Sequence, residues 1–163
     1  MRWLALAIAL AGCATAVPKP AAQQKPSRPP SVQLDGSLAS LRKVAGDAAQ
    51  PMPARLHAVS EIVALNDPAA NEALRTLAGD SAQAAPVRAA ATTGLAQREG
   101  PNSVSALSSL LVDADAKVRL AAARGLGMVG GEAAQAALQA RLDAETDPAV
   151  RDEIQKSLAR TTD

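Results

Sequence analysis

The chain has 163 residues and a formal net charge of +1, with 17 basic and 16 acidic side chains, one Cys, one His, one Trp and no Tyr or Phe. That inventory excludes an intramolecular disulfide, a histidine cluster holding a metal, and an aromatic platform for stacking bases. About a quarter of the residues are alanine, the best helix former. Alanine and leucine suit thin layers of closely packed helices rather than one thick core.

Taken in chain order, Met1-Arg2 precedes an apolar run from Trp3 to Leu10 that is too short to span a bilayer and closes on small residues. This is the pattern of an export signal over residues 1–12. Leu10-Ala11-Gly12-Cys13 resembles the bacterial lipobox, which implies lipidation of Cys13 as the first residue of the mature chain. Ala14-Thr15-Ala16 offers a rival cleavage site that would release a soluble protein starting at Val17, although Pro18 lies close behind it. With Ala14 after the cysteine, the resemblance to Gram-negative lipoproteins implies the outer membrane, facing the periplasm. Several acyl chains, at about 0.8 kcal/mol per buried methylene, make a durable anchor.

Residues 13–36 read as the lipidated cysteine followed by a tether. Pro18, Pro20, Pro26, Pro29 and Pro30, interspersed with Lys19, Lys25 and Arg28, cannot build a packed core. At roughly 3.1 Å per residue such a segment spans at most about 70 Å and serves as a spacer.

From residue 37 onward apolar residues recur at helical spacing, as in Leu38, Leu41, Val44 and in Val118, Ala122, Leu126. Asp67-Pro68 and Asp147-Pro148 are cap-plus-proline helix starts, and Asp115 is a further N-cap. Gly79, Gly100, Gly130 and Gly131 sit where helices should stop. These signals predict helices at about 37–47, 53–65, 68–78, 86–98, 101–112, 116–128, 132–143 and 148–160. No β-branched, alternating run is present. The fold class is therefore all-α.

The helices fall into four pairs. Arg55, Arg88, Arg119 and Arg151 recur in one local frame at intervals of 31 to 33 residues, each preceded by Ala or Val and followed seven positions on by Ile or Leu. Two apolar columns accompany them, Leu41, Leu74, Leu107, Leu138 and Val44, Leu77, Leu110, Leu142. An acidic column runs through Asp47, Asp80, Asp113 and Glu145. In the first two copies the acid lies eight residues before the arginine, with Gln50 and Gln83 between; in the last two it lies six before. Self-similarity at such a period marks a stacked array, and length variation confined to one loop is what stacked units tolerate. The expectation is an α-solenoid over residues 37–163.

The run from Leu110 to Gly127, with Val118-Arg119 at its centre, resembles the HEAT repeat, particularly the HEAT-like variety of phycobilisome lyase subunits. Leu142 to Arg151 matches the same pattern, and the first two copies match it less well. The resemblance covers roughly residues 37–160. It implies that the repeated arginines and the acids form a structural ladder, bonding carbonyls and carboxylates in their own and neighbouring loops. It also raises the bilin lyases, from which this chain departs: it lacks aromatic residues to hold a tetrapyrrole and has a single histidine, His57.

Catalytic chemistry finds little support. His57 reads as a surface or half-buried histidine. Ser103, Ser105, Ser108 and Ser109 lie in no nucleophile-elbow context, and Asp143, Glu145 and Asp147 occupy a helix-connecting loop with a capping role. The expectation is a protein that is not an enzyme and takes no cofactor or metal. Removing residues 1–12 takes Arg2 away and leaves a balanced charge, which argues against nucleic acid. What remains is recognition of another protein or peptide. In HEAT arrays the second helix of each pair lines the binding face, here through Ser60, Thr93, Arg124 and Lys156, and through Ala64, Gln97, Met128 and Arg160. Arg124, Met128, Lys156 and Arg160 are the candidate surface for an acidic segment. The expected role is a membrane-anchored scaffold of the bacterial envelope, or alternatively an accessory subunit of an envelope enzyme.

Overall fold

The computed structural model describes residues 37–161. The signal segment, Cys13 with its preceding Leu10, Ala11 and Gly12, and the tether all lie outside the described residues. Eight α-helices follow one another: α1 (Leu38–Gly46), α2 (Met52–Ala64), α3 (Ala69–Gly79), α4 (Ala85–Glu99), α5 (Val104–Leu110), α6 (Ala116–Val129), α7 (Glu132–Leu142) and α8 (Pro148–Thr161). There is no strand among the described residues.

The helix boundaries follow from side chains that satisfy exposed backbone groups. Ser37 accepts from the Ser40 N–H, and Asp115 from the Lys117 N–H at 2.8 Å. Asp67 accepts from Ala69 N, and Asp147 from both Ala149 N and Val150 N. Such caps occupy donors that the first helical turn cannot pair internally. Gly130 and Gly131, at φ +69° and +83°, turn the chain between α6 and α7 through a region that side-chain-bearing residues avoid.

One expected helix is cut short. The segment predicted at 101–112 opens with a 3-10 turn, Gly100–Ser103, and becomes α-helical only from Val104 to Leu110. Pro101 removes a donor in the first turn, and the Ser103 hydroxyl donates to the Gly100 carbonyl at 2.6 Å, which favours the tighter winding.

The helices stack as consecutive pairs. α2, α4, α6 and α8 pack in sequence, each also contacting the first helix of its own pair. The first leucine column, Leu41, Leu74, Leu107 and Leu138, is at most 1% exposed and forms the spine. The second column is graded: Val44 and Leu77 are buried, whereas Leu110 and Leu142 are half-buried. Two apolar clusters result, one from Leu41 to Leu95 and one from Ala96 to Ile154, with α4 contributing to both. Small residues set the spacing of the second helices. A methyl group at Gly94 would come within 2.5 Å of Val63 Cγ2, and one at Gly127 within 2.6 Å of Ser157 Cβ. The result is an all-α solenoid of four helix pairs.

Candidate functional site

Each repeated arginine starts on a second helix and reaches back to a carbonyl of its own pair, at the end of the first helix for Arg55 and Arg88 and in the connecting loop for Arg119 and Arg151. Arg55 Nε donates to Ala45 O at 2.9 Å and Arg88 Nε to Ala78 O at 3.2 Å. Arg119 Nη1 donates to Asp113 O and Ala114 O, and Arg151 Nη2 to Glu145 O at 2.8 Å. Ala45 O and Ala78 O belong to the last turn of α1 and α3, where a helix leaves carbonyls without an internal partner.

The other side of the guanidinium points to the next repeat. Arg88 holds both carboxylate oxygens of Asp113. Arg119 holds both oxygens of Glu145, Nε to Oε2 at 2.8 Å and Nη2 to Oε1 at 3.0 Å. Arg55 instead donates from Nη2 to Gln83 Oε1 at 2.6 Å. Arg55, Arg88 and Arg119 are buried, and Arg151 is exposed.

The acidic column is therefore not uniform, and the expectation of an acid in every rung needs correction. Asp47 and Asp80 serve their own loops: Asp47 accepts from Ala49 N and Gln50 Nε2, and Asp80 from Ala82 N and Gln83 Nε2. In these longer connections a glutamine follows three positions after the aspartate, and Gln83, held by Asp80, meets Arg55 in place of the acid. Hydrogen bonds, from Ala49 N–H above all at Asp47 and from Gln83 at Asp80, hold both carboxyls below their ordinary range.

Glu145 is the most enclosed acid of the set, with a side chain 0% exposed. It accepts from Arg119, from Arg141 at 2.9 Å, and from the Thr146 and Asp147 N–H groups. The Arg119 hydrogen bonds are the largest influence. With the Asp147 N–H and Arg141 they overcome the cost of burial and hold the carboxyl at about 2, against an ordinary 4.5.

The candidate surface lies on the exposed side of the second helices. Met128 is 54% exposed. Arg124 on α6 and Arg160 on α8 converge on Glu153, at 3.3 and 2.9 Å, and Arg160 also donates to Ser157 Oγ at 2.6 Å. Burial disfavours the Glu153 carboxylate, yet the bonds from Arg160 and Arg124 prevail and lower its pKa. Lys156 sits on Asp152 at 2.6 Å within its own helix. The expected basic strip is thus largely paired, leaving one surplus positive charge at the two guanidiniums around Glu153.

Toward the other end, the same side of α2 and α4 encloses an open groove of about 280 Å³. Leu56, Val59, Val63, Ala90 and Gly94 give it apolar walls, and Ser60, Thr93 and Gln97 complete its lining. The Thr93 hydroxyl is engaged by the Ala89 carbonyl. Ser60 and Gln97, both exposed, make no side-chain hydrogen bond among the described residues.

Three functional contacts escaped the sequence reading. Gln83 was visible as half of a recurring Gln50/Gln83 pair, but its role as acceptor for Arg55 was not. Glu153 carries no repeat signal, because His57 and two alanines, Ala90 and Ala121, occupy its equivalents. Arg98 donates to Asn71 Oδ1, Val63 O, Leu65 O and Asp67 O, closing the end of α2 from α4, and nothing in its spacing announces this.

Among the described residues, no group of three His, Cys, Asp or Glu is gathered as a metal site would need, and no helix is long and apolar enough to cross a membrane.

Comparisons with known proteins bear on the fold. Residues 81–159 match the family model described as HEAT repeats. No curated protein matches the chain. Among solved structures, human deoxyhypusine hydroxylase in complex with glycerol is similar at 24% identity and a TM-score of 0.66. The match covers 78% of this chain and 44% of that one, so the chain spans less than half of that protein's length. The expectation that the chain is not an enzyme is overturned as an argument from architecture, since a protein of this fold is a hydroxylase. The likeness shows the fold and assigns no reaction to this chain. Together, the four stacked helix pairs and the family match from α4 to α8 support a HEAT-repeat domain.

Proposed function

We propose that this chain is a lipid-anchored protein of the bacterial envelope that presents a HEAT-type array as a docking scaffold for another protein. The observation that carries the binding half of this reading is the division of labour on the second helices. One side of α2, α4, α6 and α8 is consumed by stacking and by the arginine rungs, whereas the other holds an apolar groove, free Ser60 and Gln97 side chains, and the Arg124–Glu153–Arg160 cluster. The anchoring half rests on Leu10-Ala11-Gly12-Cys13, with the proline-rich segment as spacer between Cys13 and the array. The outer membrane, with the array in the periplasm, is the compartment this reading favours.

A photo-crosslinking amino acid placed at Gln97, in the full chain expressed in a Gram-negative bacterium, should give a discrete adduct with another protein. The same probe at Val112, an exposed position on a first-helix loop, should give none. Adducts from both positions, or from neither, contradict a specific docking face. Intact mass of the membrane-extracted chain should begin at a lipidated Cys13; a chain starting at Val17 without lipid removes the anchor from the proposal.

A second reading, a subunit of an envelope enzyme, draws on the likeness to deoxyhypusine hydroxylase. The identity of the crosslinked partner separates the two.

A further inference from the structure

The docking face has two chemically different ends, and their separation specifies what lies across it. At the α2–α4 junction the groove of about 280 Å³ has aliphatic walls from Leu56, Val59 and Val63. On the α4 side Ala90 contributes only a methyl group, and Val63 closes over the space beside Gly94. A side chain at Gly94 is barred by Val63, so the junction admits filling only from outside. The Ser60 hydroxyl and the Gln97 amide line this groove with both donor and acceptor capacity unused among the described residues. Unused amide and hydroxyl groups beside an aliphatic slot suit an extended backbone that presents one aliphatic side chain.

At the α6–α8 junction the corresponding space is filled by charge. Arg124 and Arg160 are 55% and 46% exposed while sharing the single, nearly enclosed Glu153 carboxylate. Two guanidiniums on one carboxylate leave N–H donors facing outward and a net positive charge, which fits a second carboxylate supplied by a partner. Met128, exposed beside them, adds an apolar contact that adapts to the shape laid on it.

Consecutive second helices pack at about 8–10 Å, so the groove and the arginine pair lie two spacings, about 16–20 Å, apart. Extended chain advances about 3.3 Å per residue, which makes that separation about five or six residues. We infer that the occupant of this face is an extended peptide segment of a partner protein. Its Leu, Ile or Val side chain enters the α2–α4 groove, and its Asp or Glu, about five or six residues along, lands on Arg124 and Arg160. This inference rests on the protein-docking reading above and specifies the chemistry of the docked segment.

The test uses the full chain purified in detergent and fluorescein-labelled Ser/Thr peptides carrying one Leu and one Glu separated by two, five or eight positions. Fluorescence anisotropy should show tightest binding at five. Replacing the Glu by Gln should weaken binding about tenfold or more, as the loss of a charge-assisted contact requires. Arg124→Gln, which leaves Glu153 on Arg160, should weaken the Glu peptide and leave its Gln version unchanged. Ser60→Leu, on an exposed position that fills the groove, should weaken the peptides containing Leu and spare a Leu→Ser control.

Binding indifferent to spacing, or a Glu-to-Gln effect that persists unchanged in Arg124→Gln, overturns the inference. So does a partner crosslinked from Gln97 whose docked segment has no carboxylate in this register, and in that case the docking reading stands. Absence of any crosslinked partner strikes the docking reading itself.

Discussion

The two halves of the array join their repeats by the same arginine but through different partners. In the amino-terminal half Arg55 crosses to the uncharged Gln83 amide, which is itself held by the Asp80 carboxylate. In the carboxyl-terminal half Arg119 grips the Glu145 carboxylate directly, with no exposure to water on the acid. The longer loop makes the difference by what it carries. All four acids accept from the N–H two residues on, but only the longer connections place a glutamine three positions after the acid, and Gln83 meets the arginine there. A rung built on a buried carboxylate is demanding, since removing its bidentate partner leaves a buried charge with fewer bonds to offset its burial. A rung built on an amide is forgiving, since a neutral group left alone costs far less.

The comparison is broken most severely at its strongest rung. Arg119→Ala should destabilise the fold by about 3 kcal/mol, read from chemical denaturation, because Glu145 loses its bidentate partner and keeps only Arg141 and the Thr146 and Asp147 N–H groups. A loss no larger than that from an exposed substitution would remove the distinction between the halves.

Acid should act on the same rung. Glu145 has its folded-state value lowered to about 2 from an ordinary 4.5. Its stabilisation is therefore complete above about pH 4.5 and is lost as pH falls toward 2. Glu145→Gln should flatten the stability profile across that window, whereas Arg98→Ala, whose partners are an amide and three carbonyls, should leave the slope as it is.

A third substitution probes the amino-terminal half where it is best braced. Arg98→Ala should cost about 2 kcal/mol, since four hydrogen bonds that close the end of α2 disappear while the freed carbonyls regain water. The smallest effect belongs to the amide rung, with Gln83→Ala costing about 1 kcal/mol. Should Gln83→Ala match Arg119→Ala, the loop-length argument fails.

Much of this was legible in the sequence, for identifiable reasons. The leucine spine, the Asp67, Asp115 and Asp147 caps and the Gly130-Gly131 turn are local signals, each fixed by backbone chemistry within a few residues. The recurring arginine marked four units because its frame repeats. What stayed hidden depends on contacts about thirty residues apart. Asp47 and Asp80 share a column with Asp113, yet only the path of the loop decides whether the carboxylate or a following glutamine meets the guanidinium. Arg124 looked free because spacing cannot show that Glu153, 29 residues on, lies against it, whereas the Lys156–Asp152 pair is four residues apart on one helix and was open to the sequence. The α2–α4 groove was invisible because its walls come from two helices, Leu56, Val59 and Val63 on α2 and Ala90 on α4.

A pair of double-mutant cycles tests most directly the claim that arginine rungs join consecutive repeats, with different strength in the two halves. Arg119→Ala with Glu145→Gln should show a coupling of about 2 kcal/mol or more, and Arg55→Ala with Gln83→Ala a coupling below about 1 kcal/mol. Equal couplings, or additivity within about 0.5 kcal/mol in the Arg119–Glu145 cycle, would contradict it.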